Sequence, residues 1–317
     1  METNWNLTNT RRQFLAGTAI ASATLLHNGG VWAEEKPAAP TEFQVACMTL
    51  PYSNFPFARA LEGIRNAGYK FVALGTTHLE GGKKAAIIGD STSLMAAKAV
   101  GKQCRDAGLE PLMMFSLIYP EATNGLKVLT QRLQQAAAAG IPQVLTFGHT
   151  KGGNHEVWIE RLKLLGPIAE KEGVVLVIKQ HGGETGTGAA CAKIAEAVNH
   201  PHVQVNYDAG NVMDYLNVDP ISDLKTCAAR VYSFCIKDHR NFPKDEDCGP
   251  GLGEIDHYKL LHLVANLGRK IPLCCENIFA PLLPRPKTAE GVDAMAKRAR
   301  EFLDLVIQGL QTVQTGK

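Results

Sequence analysis

Short apolar runs alternate along the chain with longer segments whose apolar residues fall three and four apart. The runs are Phe43–Leu50, Lys70–Gly75, Glu110–Leu117, Gln143–Gly148, Val174–Gln180, Val203–Asp208, Val231–Lys237 and Ile271–Asn277. Val174-Val-Leu-Val-Ile178 is apolar at every position, as a parallel strand covered on both faces must be. Between the runs lie helix-period segments. In Phe57–Ala67, Leu61, Ile64 and Ala67 share a face and Gly68 follows as a helix-ending residue. Leu94–Ala107, Leu126–Ala139, Val157–Lys171, Ala189–Val198, Tyr258–Leu267 and a long final Ala289–Leu310 repeat the theme. Eight strand–helix units in about 270 residues predict an α/β chain folded as one (β/α)8 TIM barrel. It spans residues 42–312, with 313–317 as a tail. A doubly wound sheet shares the alternation, but the GxGxxG that would follow its first strand is missing.

Two of the spacings are long, and in both the extra length follows the strand: Thr76–Asp90 and Asp238–Gly253. That is the face on which barrels carry their chemistry. Polar residues gather there. Thr77 and His78 follow the second strand, His149 the fourth, Lys179, His181 and Glu184 the fifth, and Asp208 and Asn211 the sixth. Lys237, Asp238 and His239 follow the seventh, and Glu276 and Asn277 the eighth. Singly, each reads as a solvated loop residue or a satisfied core polar group. Together they converge on one pocket, because barrel strand ends point to a common centre.

The amino terminus follows a different pattern. Thr10-Arg11-Arg12-Gln13-Phe14-Leu15 opens an uncharged apolar stretch to Leu26, and Val31-Trp32-Ala33 supplies small residues for cleavage. This predicts a twin-arginine signal peptide over 1–33, a Pro/Ala-rich linker over 34–41 and a periplasmic or otherwise exported product. A membrane anchor is the competing reading, but Phe14–Leu26 is 13 residues, short of the roughly 20 that span a bilayer. Of the 317 residues, 33 are Lys or Arg and 31 Asp or Glu, a net charge of +2. With no basic stripe, a nucleic-acid partner is not expected. The eight cysteines form no CxxC pair, and Cys47, Cys235, Cys274 and Cys275 sit in apolar runs, where a thiol behaves as a small hydrophobe. Buried free thiols are expected.

Four segments carry a resemblance. Tyr207-Asp208-Ala209-Gly210-Asn211, Cys235-Ile236-Lys237-Asp238, Gly249-Pro-Gly-Leu-Gly-Glu-Ile-Asp256 and Cys275-Glu276-Asn277 make the chain similar to the xylose isomerase-like barrel family. That family includes sugar epimerases, hydroxypyruvate isomerases, inosose dehydratases and endonuclease IV. The resemblance implies a divalent metal (Zn, Mn or Mg) held by Glu on strand five, Asp on strand six, His on strand seven and Glu on strand eight. Carried over by position, Asp208 and Glu276 are kept. Lys179-Gln180-His181 stands where the family reads Glu-Asn-His, and Cys235 stands where it has the strand-seven histidine. A protonated lysine donates hydrogen bonds and ligates nothing, although a Cys235 thiolate with two carboxylates would suit zinc.

The implied chemistry needs a base beside a carbonyl and an electrophile for the enediolate oxygen. Glu276 is the candidate base, Lys179 the candidate electrophile in place of a metal, and His181 and His239 the candidate proton carriers. His78, His149, Glu184, Asn211, Lys237 and Asp238 are the candidate substrate contacts. The leading reading is an exported isomerase, epimerase or lyase acting on a sugar, cyclitol or keto-sugar, with a homo-oligomer allowed. A non-catalytic sugar-binding barrel with a degenerate site is the alternative, and an endonuclease IV-like nuclease a remote one.

Overall fold

The structure, a computed structural model, describes residues 39–315; the signal peptide read over 1–33, and most of the linker, lie outside the described residues. Eight parallel strands close into a barrel in sequence order: β1 (Glu42–Met48), β2 (Phe71–Leu74), β3 (Glu110–Phe115), β4 (Gln143–Phe147), β5 (Val175–Lys179), β6 (Val203–Tyr207), β7 (Val231–Ile236) and β8 (Lys270–Cys275). β8 returns to β1 in the register Glu42↔Lys270 through Cys47↔Cys275. The expected (β/α)8 architecture is therefore the observed one, with each strand within two residues of its expected ends.

Period two sorts the strand residues between two cores. Outward residues such as Cys47, Val72, Met114, Val144, Leu176, Ile178, Leu273 and Cys275 pack against the helices. Inward residues such as Ala46, Met48, Ala73, Met113, Leu145, Val175, Val177, Cys235 and Cys274 fill the lumen. The helices are α1 (Phe57–Asn66), α2 (Leu94–Asp106), α3 (Gly125–Ala139), α4 (His155–Lys171), α5 (Gly188–Val198), α6 (Ala209–Leu216), α7 (Pro220–Lys225), α8 (His257–His262) and α9 (Ala289–Thr315). Gly68 ends the first turn sequence at φ +90°, a conformation that favours glycine. All eight cysteines are buried and free, and no helix among the described residues is long and apolar enough to cross a membrane.

The structure adds what the periodicity missed. The two long connections each fold into a hairpin, Thr77–Glu80 with Lys83–Ala86 and Asp238–Arg240 with Glu246–Cys248. Tyr258–Leu267 is shorter than expected: after His262 the backbone tightens into i→i−3 bonds, Leu263 to Leu260, Val264 to Leu261 and Ala265 to His262.

Asp238 was expected to meet substrate and instead holds the second hairpin to the loop that follows. Its Oδ1 accepts from the amides of His239 (2.9 Å) and Ile255 (3.0 Å), and its Oδ2 from Gly251 (3.0 Å). Gly253 makes this possible, since a Cβ there would stand 2.3 Å from Asp238 Oδ1. Asp238→Ala strands three N–H groups, so urea denaturation should show a loss of about 2–4 kcal/mol. Asp238→Asn, which retains one carbonyl acceptor, should lose less; equal stability of the alanine variant and its parent would contradict this role.

Candidate active site

Carrying the lumen parity to the last residue of a strand, or one residue past it, places four charged side chains at the carboxyl mouth of the barrel. Lys179 follows Val175 and Val177, Lys237 follows Cys235, Glu276 follows Cys274, and Asp208 follows Asn206. Asn206 marks the layer beneath: its amide donates to Ser233 Oγ at 2.8 Å and its Oδ1 accepts from the Cys235 amide at 3.2 Å. Above it, Lys179 Nζ lies 2.6 Å from Glu276 Oε2 and 2.9 Å from Asp208 Oδ2. Lys237 Nζ lies 2.9 Å from Asp247 Oδ2 and 3.7 Å from Asp208 Oδ2, and also donates to Asn211 Oδ1.

Backbone geometry locks this constellation. Asp208 caps α6, its Oδ1 accepting from the Asn211 amide at 3.0 Å while its own amide donates to Gln180 Oε1 at 2.7 Å. Asn211 Nδ2 donates to the Gln180 carbonyl at 2.6 Å. Gly210 leaves room for Lys237, whose side-chain carbons would be 2.6 Å from any Cβ there.

The two carboxylates titrate differently. Burial pushes both upward, but at Glu276 the Lys179 and Lys237 ammoniums outweigh it and hold the carboxyl well below the usual range. At Asp208 burial prevails over the same two cations and the carboxyl is raised. Burial opposes the charge of Lys179, yet Asp208 and Glu276 more than compensate and keep it protonated.

A metal does not fit here. Asp208, Cys235 and Glu276 offer ligand atoms within 4.8 Å of one another, but the Lys179 ammonium contacts both carboxylates. Burial also pushes the Cys235 thiol far up, which disfavours the thiolate.

The remaining candidates divide. His181 faces the site: its Nδ1 meets the Gly148 carbonyl at 2.8 Å, its ring packs on Phe147 (4.6 Å between centroids) and Tyr215 (5.4 Å), and burial followed by the nearby ammoniums lowers its pKa. His149 lies at the mouth, its ring tilted at 40° against Tyr119 (3.9 Å between centroids) and 3.6 Å from Glu121. His239 is drawn aside. Its Nδ1 meets Asp247 Oδ1 at 3.1 Å and its Nε2 lies 3.3 Å from Asp245, close enough to Asp214 for those three to form a second group of potential ligands. It reaches the Lys179 pair only through Asp247 and Lys237. His78 is buried under the first hairpin, bonded to the Phe55 carbonyl and edge-on to Phe57, and Glu184 pairs with His155 at 3.2 Å. His78 is fully buried, whereas Glu184 keeps 43% of its side chain exposed. The sequence reading missed Gln180, Asp247, Phe279 and Arg285. The last three line a cleft of about 180 Å³ with Lys237, Glu276 and Asn277.

Two substitutions test the ion pair. Lys179→Met leaves Asp208 and Glu276 with only Lys237, 3.7 Å from Asp208, to offset their burial and should cost about 3–5 kcal/mol at neutral pH. Their folded-state pKa values then exceed the unfolded ones, so the folded state binds protons more tightly and the deficit should shrink as pH falls from about 7 to 5. Lys179→Glu should make the melting temperature respond to manganese or zinc, by about 2.7 kcal/mol at a hundredfold excess over Kd. The parent should respond to neither metal nor chelator; a metal-dependent parent would contradict the fit.

A family model described as xylose isomerase-like TIM barrel matches residues 61–298. Among solved structures, the IOLI protein with a bound zinc atom superposes at TM-score 0.67 and 18% identity, over 84% of this chain and 99% of that one. A xylose isomerase-like TIM barrel protein from Mycobacterium smegmatis in complex with magnesium gives 0.63 and 17%, over 85% and 98%. L-ribulose 3-epimerase gives 0.62 and 16%, over 85% and 96%. The chain spans 45% of another neighbour, a fusion of such a barrel with a 4-hydroxyphenylpyruvate dioxygenase. None of the curated proteins compared matches. At these identities the neighbours speak for the fold alone, whereas the family model covers most of the chain: this protein belongs to the xylose isomerase-like TIM barrel family.

Proposed function

We propose that this barrel is an exported isomerase, epimerase or lyase that removes a proton beside the carbonyl of a sugar, cyclitol or keto-sugar. The observation that carries the reading is the Lys179 ammonium fixed between Asp208 and Glu276 at the barrel mouth. A fixed cation there does what such chemistry asks of an electrophile: it holds charge developing on oxygen in a site of low dielectric. The similarity to L-ribulose 3-epimerase supports the same class of reaction.

The steps use this chain's own side chains. Glu276, ionised, takes the proton from the carbon beside the carbonyl, and the C–H electron pair moves onto the carbonyl oxygen as an enolate. Lys179 donates a hydrogen bond to that oxygen. While Lys179 is bonded to Glu276 the carboxylate is a weak base. Once the substrate oxygen takes over part of the ammonium's bonding, basicity returns to Glu276 where it is needed. His181 is mainly neutral at neutral pH because its pKa is lowered. With Nδ1–H donated to the Gly148 carbonyl, Nε2 remains the acceptor that can relay a proton. Return of the proton to the opposite face inverts the carbon; delivery to the former carbonyl carbon, with the adjacent hydroxyl proton passing to the former carbonyl oxygen, isomerises; and departure of a β-hydroxyl as water, carrying the abstracted proton, makes a lyase.

The tight closure of Lys179 on both carboxylates also favours a second reading, a barrel that binds sugars without turning them over. Exchange chemistry separates the two. Glu276→Gln should keep the fold and lower solvent-deuterium incorporation into bound sugar by roughly 10² or more. Binding with no exchange in the parent would favour the second reading, and full activity in the variant would move the base elsewhere. For export, replacing Arg11 and Arg12 together with Lys should leave the precursor in the cytoplasm; normal export of that double variant would sink the twin-arginine reading.

A further inference from the structure

We infer that Arg285 is a specificity-determining residue that binds a carboxylate, so that the cleft selects a sugar or cyclitol acid over its neutral counterpart. The inference rests on the carbohydrate reading of the same site and adds the substrate's charge to it.

The charges around the cleft are paired except for one. Lys179 is matched by Asp208 and Glu276, and Lys237 by Asp247. The Arg285 guanidinium lines the same cleft and, among the described residues, forms no ion pair. Its contact is the face of Phe279, 4.8 Å from the ring centroid. A guanidinium stacked on an aromatic face keeps its in-plane N–H edge free, and that edge matches a carboxylate with two parallel hydrogen bonds.

The segment that carries it is held in place before any ligand arrives. Pro284 and Pro286 flank the arginine and restrict its backbone. Upstream, the Leu282 amide donates to Glu246 Oε1 at 2.8 Å, tying the segment to the second hairpin. Phe279, the platform, is 8% exposed; its amide donates to Asn277 Oδ1 at 3.0 Å and its carbonyl accepts from Gly249 at 2.8 Å. With Oδ1 of Asn277 so used, its Nδ2 remains as a donor lining the cleft. Less ordering is left for the ligand to impose.

Planar carboxylate and phosphate both suit an arginine fork, and the neighbouring charges choose between them. Glu276 and Asp247 in the same small cleft are already matched by Lys179 and Lys237, so a monoanion balances the one remaining cation, Arg285, whereas a phosphate dianion leaves a charge unmatched.

The test is titration of the purified protein and Arg285→Met with three pairs at low salt: D-glucuronate and D-glucose, D-galacturonate and D-galactose, quinate and myo-inositol. Glucose 6-phosphate is the phosphate arm, and deuterium incorporation is followed in the same samples. The parent should bind at least one acid about tenfold or more tightly than its neutral partner. Arg285→Met should erase that preference without weakening the neutral compound, and the phosphate should bind no better than the acid. Equal affinity within every pair, an unchanged preference in Arg285→Met, or tighter binding of the phosphate would overturn the inference. An acid preference with no exchange would leave it standing and overturn the catalytic reading. Binding and exchange of neutral sugars alone would do the reverse, and silence from every probe would overturn both.

Discussion

The structure turns on a lysine ammonium buried between two carboxylates at the mouth of a parallel barrel. Burying a charge costs several kcal/mol unless it is paired and hydrogen-bonded, and each member of this triad offsets that cost for the others. Lys179 and Asp208 are 4% and 0% exposed, so their charges survive only as a set with Glu276. The demand spreads outward. Asp208 must also cap α6, Gln180 must brace Asp208 and Asn211, and Gly210 must be glycine to admit Lys237. The lumen beneath is correspondingly neutral, with Cys235 and Cys274 as thiols beside Asn206 and Ser233.

The same interaction decides the kind of chemistry available. A site with three carboxylates attracts a divalent cation, whereas one of those positions here carries a positive charge of its own. In the proposed reaction the electrophile is covalently part of the chain and cannot dissociate or be chelated, and its strength is set by what shares its hydrogen bonds.

Most of the fold was legible because parallel strands covered on both faces leave unbroken apolar runs, and helices between them keep their period. The hairpins were not. Thr77–Glu80 and Lys83–Ala86 are four residues each, too short for alternation to stand out, and Lys83-Lys84 looks like a solvated loop. Helix α6 begins in Ala209-Gly210-Asn211, a poor helix-forming sequence that Asp208 rescues by capping. At the site, strand parity separates Lys237 from Asp238, yet nothing in the sequence says that Asp238 serves three loop amides or that His78 ends beneath a hairpin. Those depend on where a folded loop leaves its N–H groups. Arg285 lies beyond any periodic element and becomes meaningful only when Phe279 and the cleft are in place.

The claim that the Lys179 ammonium occupies the barrel mouth in place of a metal is met most directly by anomalous diffraction. Crystals of the parent protein soaked in zinc or manganese, with data collected at the metal's absorption edge, would show any ion between Asp208, Cys235 and Glu276. The account predicts no anomalous peak there and continuous density for Lys179 reaching both carboxylates. A strong peak within coordination distance of Asp208 and Glu276, with Lys179 turned out of the lumen, would contradict it.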